Sequence, residues 1–162
     1  MEGERLAPDL RLALARIEPS YSPYARCWGW PCKVWLRSGE VAERVLFCQL
    51  TKDLVEYRRA FGFPISSDIV VGDIFNIAES PHRLPARFAN ELYLGGETGM
   101  GYLTFTAMFY SGMWRHYGTN SSVDFVDYPL LMSPSWVHSV RAHHRQEHHH
   151  KCPAFRVCYF KE

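Results

Sequence analysis

The chain lacks most of the features that place a protein in a class at sight. It has no excess of charge, since 18 Lys and Arg stand against 17 Asp and Glu, so no global field selects nucleic acid or an anionic membrane as partner. It has no apolar run approaching the ~20 residues that span a bilayer. Its first residues, MEGERLAPDLRLALARIEPS, interleave charges with leucines and supply neither the apolar h-region nor the small-residue cleavage site of a secretory signal. It has no close cysteine pairs. Cys27, Cys32, Cys48, Cys152 and Cys158 are odd in number and widely spaced, and they read as reduced thiols buried as small hydrophobes. No internal repeat and no flexible linker divides the sequence. These absences point to a cytoplasmic protein that binds neither nucleic acid nor membrane. Its 162 residues suffice for one domain, 1–162, with a core that needs no staples.

The two signs nearly balance over the chain, but their distribution is uneven. Residues 1–81 hold 10 basic and 11 acidic side chains, residues 82–162 hold 8 and 6, and all eight histidines fall in the second half. Acidification therefore makes that half the more positive.

The most ordered pattern present is Leu94 to Pro129. From Tyr102 to Tyr110, Leu103, Phe105, Ala107 and Phe109 occupy one parity and Tyr102, Thr104, Thr106, Met108 and Tyr110 the other. That period of two predicts a strand with one apolar face. Ser111-Gly112 supplies a turn, and Met113 to Tyr117 a return strand. A two-residue loop pairs Tyr110 with Met113, Phe109 with Trp114, Met108 with Arg115 and Ala107 with His116, which puts Trp114 in the core and Tyr102, Tyr110, Arg115 and Tyr117 on the opposite, half-polar face. Val123 to Asp127 reads as a third strand, completing a meander.

Elsewhere, Leu6 to Ile17 carries leucines at 6, 10, 12 and 14 and is read as a strand, with a short helix the alternative. Cys32 to Arg37 and Val41 to Gln49 flank Ser38-Gly39-Glu40, a hairpin signal of the same kind as Ser111-Gly112. Thr51 to Gly62 predicts a helix capped by Thr51, with Leu54, Tyr57 and Phe61 as its docking stripe. Asp68 to Glu79 reads as a strand bulged at Gly72. SPHRLP, residues 80–85, reads as an extended loop, Ala86 to Leu92 as one helical turn, and Phe155 to Phe160 as a closing strand. The fold expected is α+β and mainly antiparallel, either a small barrel or a two-layer sheet, with one covering helix at about 51–61.

Four groups of residues invite chemistry. His144-Arg145-Gln146-Glu147-His148 matches the H-x-x-E-H spacing of inverted zinc peptidases, in which two imidazoles four apart on a helix ligate zinc and the glutamate acts on bound water. It lies in a histidine-dense tract where such a string arises by chance, so a solvated loop is the simpler reading; no cofactor is expected, with Zn or Ni on His144 and His148 as the exception. Cys27, Cys32 or Cys48 could pair with His82, His116 or His138 as a thiolate and its base, against the plainer role of structural thiols. Residues 95–101, GGETGMG, resemble a phosphate cradle in glycine count alone, and a sharp corner explains them better. Glu79, Glu91, Glu97, Asp124 and Asp127 offer carboxylates whose pairing only distance can decide.

The aromatics with a polar handle carry the functional expectation, because such side chains are enriched in interface anchors. The reading preferred is a non-enzymatic protein-binding domain, of the inhibitor or immunity type, that engages another protein through Tyr102, Tyr110, Arg115 and Tyr117 with His82 and Arg83 of the SPHRLP loop. It requires those tyrosines and Arg115 to be exposed. The alternatives are a small metal-dependent or Cys/His enzyme working through the histidine cluster, and a small barrel holding an apolar ligand.

Overall fold

The computed structural model describes residues 4–144 and 148–162. The fold is α+β: among the described residues it contains three α-helices and two mixed sheets of five and four strands. Neither sheet closes on itself, so the barrel expectation gives way to open sheets. The chain divides into two compact units, residues 1–80 with 155–162, and residues 81–154.

In unit 1, α1 (Pro8–Ala15) precedes β1 (Ser20–Ser22), β2 (Cys27–Leu36), β3 (Val41–Gln49), α2 (Lys52–Ala60), β4 (Ile74–Glu79) and, from the end of the chain, β9 (Arg156–Phe160). β3 runs antiparallel along one edge of β2, β1 and β4 share its other edge, and β9 lies parallel to β3. The core gathers Val34, Val45, Phe47, Ile74 and Cys158 from the sheet with Leu10 and Leu14 from α1. α1 corrects the strand expected there. Leucines at 10 and 14 satisfy a period of two and a helical i, i+4 spacing alike; the helix wins because Pro8 presets its first turn, leaving Leu12 out in solvent. α2 begins as expected, with Thr51 Oγ1 accepting from the Leu54 N–H at 3.2 Å. Its stripe is narrower than expected: Leu54 is buried, but Phe61 is exposed beside Tyr57 and Phe63. The strand predicted from Asp68 begins only at Ile74, after a single 3-10 turn at Val71–Asp73.

Unit 2 runs α3 (Ala86–Gly95), β5 (Leu103–Phe109), β6 (Trp114–Thr119), β7 (Val137–Ala142) and β8 (His150–Lys151), with the sheet order β7-β5-β6-β8. α3 is a full helix where one turn was expected, ended by Gly96 at φ +79°. Leu103, Phe105, Ala107 and Phe109 are all buried, as the alternation requires, against Phe88 and Leu92 of α3. The third strand of the sheet is β7 and not residues 123–127, which run irregularly through the core with a single bridge from Phe125 to Arg83.

The hairpin register is shifted by one residue from the expectation. Met108 pairs with Trp114, Thr106 with His116 and Phe105 with Tyr117. The cause is a three-residue loop: the Phe109 N–H donates to Met113 O at 2.8 Å, the Gly112 N–H to Phe109 O at 2.9 Å, and Gly112 sits at φ +86°. This is a type I turn closed by a left-handed glycine bulge. Because strand side chains alternate, a slip of one exchanges the faces of the return strand. Trp114 turns outward and Tyr117 inward.

A candidate binding face on the four-stranded sheet

β5 sends Thr104, Thr106 and Met108 to the face opposite its core, where their cross-strand partners on β6 are Gly118, His116 and Trp114. On the other side Ser139 and Arg141 of β7 pair with Met108 and Thr106. At the hairpin end this face is open. Trp114 is 56 % exposed, Met113 48 % and Tyr110 64 %. The Tyr110 N–H donates to the Trp136 carbonyl at 2.9 Å, and its ring meets His138 edge-on at 5.1 Å. The loop from Tyr128 to Trp136 starts and ends there too, since Tyr128 packs on Phe109. Within it Leu130 and Leu131 are each 90 % exposed, with Leu131 at φ +67°. A leucine in that region costs on the order of 1 kcal/mol.

Further along, imidazoles replace apolar groups. His116 lies between Trp114 and His143, with ring centroids 4.8 and 5.0 Å away. Its Nδ1 is 2.5 Å from Thr106 Oγ1. Partial burial, then the neighbouring His143, lowers its pKa, which favours the neutral ring. His143 Nδ1 approaches the His144 carbonyl at 2.7 Å, and Nε2 is shielded from solvent without a hydrogen-bond partner among the described residues. At the far end the His149 ring fills the place of a side chain at Gly118, where an added Cβ would lie 2.5 Å from it, and its Nε2 is 3.0 Å from the Tyr102 hydroxyl. Gly118 makes room for this pair.

The residues expected to bind are therefore dispersed. Tyr110 is exposed. Tyr102 is half-buried against His149, and Arg115 is half-buried with a guanidinium N–H donating to the Asp127 carbonyl at 3.1 Å. Tyr117 is 0 % exposed, stacked on Phe105 at 5.4 Å, with its hydroxyl donating to Asp127 O at 2.7 Å and its pKa raised by burial. The SPHRLP loop is likewise largely internal. Arg83 is 2 % exposed, its Nε donating to the Leu84 carbonyl, and Leu84 is buried; His82, half-buried, holds Val126 through its backbone carbonyl. Tyr117 and Arg83 are core residues: the register slip explains the first, the antiparallel bridge to Phe125 the second.

Arg83 shares its interior with Asp124. The Asp124 carboxylate accepts from Tyr93 Oη at 2.7 Å and Ser122 Oγ at 2.6 Å, and the Val123 N–H donates to Tyr93 Oη. Burial first, and the adjoining carboxylate second, raise the Tyr93 pKa. Of the carboxylates considered for acid–base work, Asp124 is closed from solvent.

All five thiols are free and buried, and burial pushes Cys152 and Cys158 up to about 12, so neither is a thiolate at neutral pH. His144 and His148 are exposed and lie in bends, not on a helix, while residues 145–147 of the H-x-x-E-H string fall outside the described residues. Among the described residues no three His, Cys, Asp or Glu side chains converge as a metal site. The 95–101 glycines form a tight corner, with the Gly101 N–H bound by Glu97 Oε2 at 3.0 Å and Gly101 at φ +67°.

Compared with protein-family models, curated proteins and solved structures, the chain matches none of them. No helix among the described residues is long and apolar enough to cross a membrane.

The residues that sequence reasoning missed are Trp114, Met113, Trp136, Leu130 and Leu131 at the hairpin end. The signal for Trp114 was the turn: Tyr110-Ser111-Gly112 fits a three-residue loop as well as a two-residue one.

Proposed function

We propose that the protein is a non-enzymatic, cytoplasmic binding module whose partner is another protein, docked on the hairpin end of the four-stranded sheet. The observation that carries this reading is the exposure of Tyr110, Met113 and Trp114 at the hairpin end together with that of Leu130 and Leu131, which lie in a loop tied to the same hairpin by Tyr128 on Phe109 and by the Tyr110 N–H on the Trp136 carbonyl. Exposed clusters of this kind mark interaction sites, and Trp, Tyr and Met are over-represented at interface centres. The left-handed Leu131 adds support, since residues held in sparsely populated backbone regions cluster at functional sites. The anchors differ from those expected from sequence: Tyr110 stays, Trp114 replaces Tyr117, and the 128–136 loop replaces SPHRLP.

The test is photo-crosslinking from position 114 in the native cell, beside the same probe at Leu12 of α1, which is also exposed. A discrete adduct from 114 alone, lost when Leu130 and Leu131 are both changed to Ser, supports the reading. The same adducts from both positions, or none from either, sink it.

A further inference from the structure

We propose that a groove in unit 1, beside α2, is a binding site for a small anionic amphiphile, a medium-chain carboxylate. The groove has a volume of about 430 Å³, within the range of small-ligand sites. Its walls are of two kinds. Leu50, Val55, Phe63 and Ile65 are apolar, and the polar contribution comes from Arg58, Arg59 and Lys161 with no carboxylate among the lining side chains.

All three cations line the one groove. Arg58 is held rigid: one guanidinium nitrogen donates to the Pro64 carbonyl at 3.0 Å and another to the Tyr159 hydroxyl at 2.9 Å, both neutral acceptors that leave its charge uncompensated. Arg59 and Lys161 make no ion pair among the described residues, whereas Glu56 of the same helix is taken by Lys52. A cluster of like charges beside exposed apolar surface is unfavourable in the empty protein and is relieved by an anion with a tail. Charge-assisted hydrogen bonds from guanidinium and ammonium suit a carboxylate head. Phe63, 53 % exposed, covers a methylene chain at the mouth. This site is in the other unit from the hairpin end and does not rest on the protein-binding reading.

Isothermal titration with octanoate, octanol and octylammonium tests the proposal. Octanoate binds the wild-type chain, with octylammonium at least about tenfold weaker, and affinity rises about fourfold per added methylene from hexanoate to decanoate. The double variant R59E/K161E loses at least about tenfold in octanoate affinity while keeping the wild-type circular dichroism. Should that variant misfold, methyl NMR of the wild-type protein decides: octanoate shifts the Val55 and Ile65 methyl signals. No binding of octanoate, equal binding of all three probes, unchanged affinity in the folded double variant, or shifts confined to other residues overturns the site. So does attachment to phosphatidylglycerol vesicles in a chain that ignores octanoate.

Discussion

Unit 1 surrounds β2 and β3 with Val34, Val45, Phe47 and Cys158 and, among the described residues, buries no charged side chain; unit 2 encloses Arg83 and Asp124 in the same interior as Phe105 and Tyr117. Their turns, by contrast, are copies. In the first hairpin the Leu36 N–H donates to Glu40 O and the Gly39 N–H to Leu36 O, as Phe109, Met113 and Gly112 do in the second. In both, the serine before the glycine accepts from the N–H two residues on, at 3.3 Å in Ser38 and 3.2 Å in Ser111. The same local device thus starts two interiors of different chemistry. An apolar interior tolerates any side chain of the right shape, whereas buried polar groups cost free energy unless each finds its partner, which ties unit 2 to one arrangement of residues 83, 93, 122 and 124.

The largest effects should come from cavities. Phe47→Ala and Phe105→Ala are each expected to cost about 3 to 5 kcal/mol. Hydrogen exchange read by mass spectrometry should show lost protection in 27–49 and 156–160 for the first, and in 103–119 and 137–142 for the second. Equal loss in both sets from either variant would mean that the two interiors unfold as one. Next comes Asp124→Ala, expected to cost about 2 to 4 kcal/mol by stranding the Tyr93 and Ser122 hydroxyls. Asp124→Leu that matches wild type in urea titration would show the polar interior of unit 2 to be as permissive as the apolar one.

The turns give a matched pair. Gly39 and Gly112 stand at φ +92° and +86°, with open space where a Cβ would go. Each change to Ala should therefore cost a similar amount, about 1 kcal/mol, from backbone strain alone. Unequal costs would break the equivalence of the turns.

The smallest effect separates the units by pH. Unit 1 contains no histidine, and in unit 2 the His116 pKa is lowered in the folded state by partial burial and by His143. The unfolded chain then binds the proton more readily than the folded one. Stability from this source is complete above the ordinary value of 6.5 and declines as pH falls below it. Hydrogen exchange at pH 5.5 should loosen 103–119 relative to 27–49, and His116→Gln should reduce the difference. Loosening of 27–49 instead would locate the acid sensitivity elsewhere.

What the sequence determined by itself was whatever depends on neighbours a few residues apart: the inward set Leu103, Phe105, Ala107 and Phe109, the Thr51 cap, both Ser-Gly turns, β9, and an α+β class with antiparallel hairpins. These rest on strand alternation, capping and glycine's conformational freedom, which act locally. Only the tertiary structure decided whether Leu10 and Leu14 lie on a helix or a strand, because four is a multiple of one period and close to the other. It alone set the return strand of the second hairpin, where one loop residue more exchanged Trp114 with Tyr117 and so moved the candidate binding face. It also decided the fate of Arg83 and Asp124: the Asp124 carboxylate is met by Tyr93, 31 residues away in sequence, and the Arg83 backbone carbonyl by Tyr128, 45 residues away, pairings that no periodicity records.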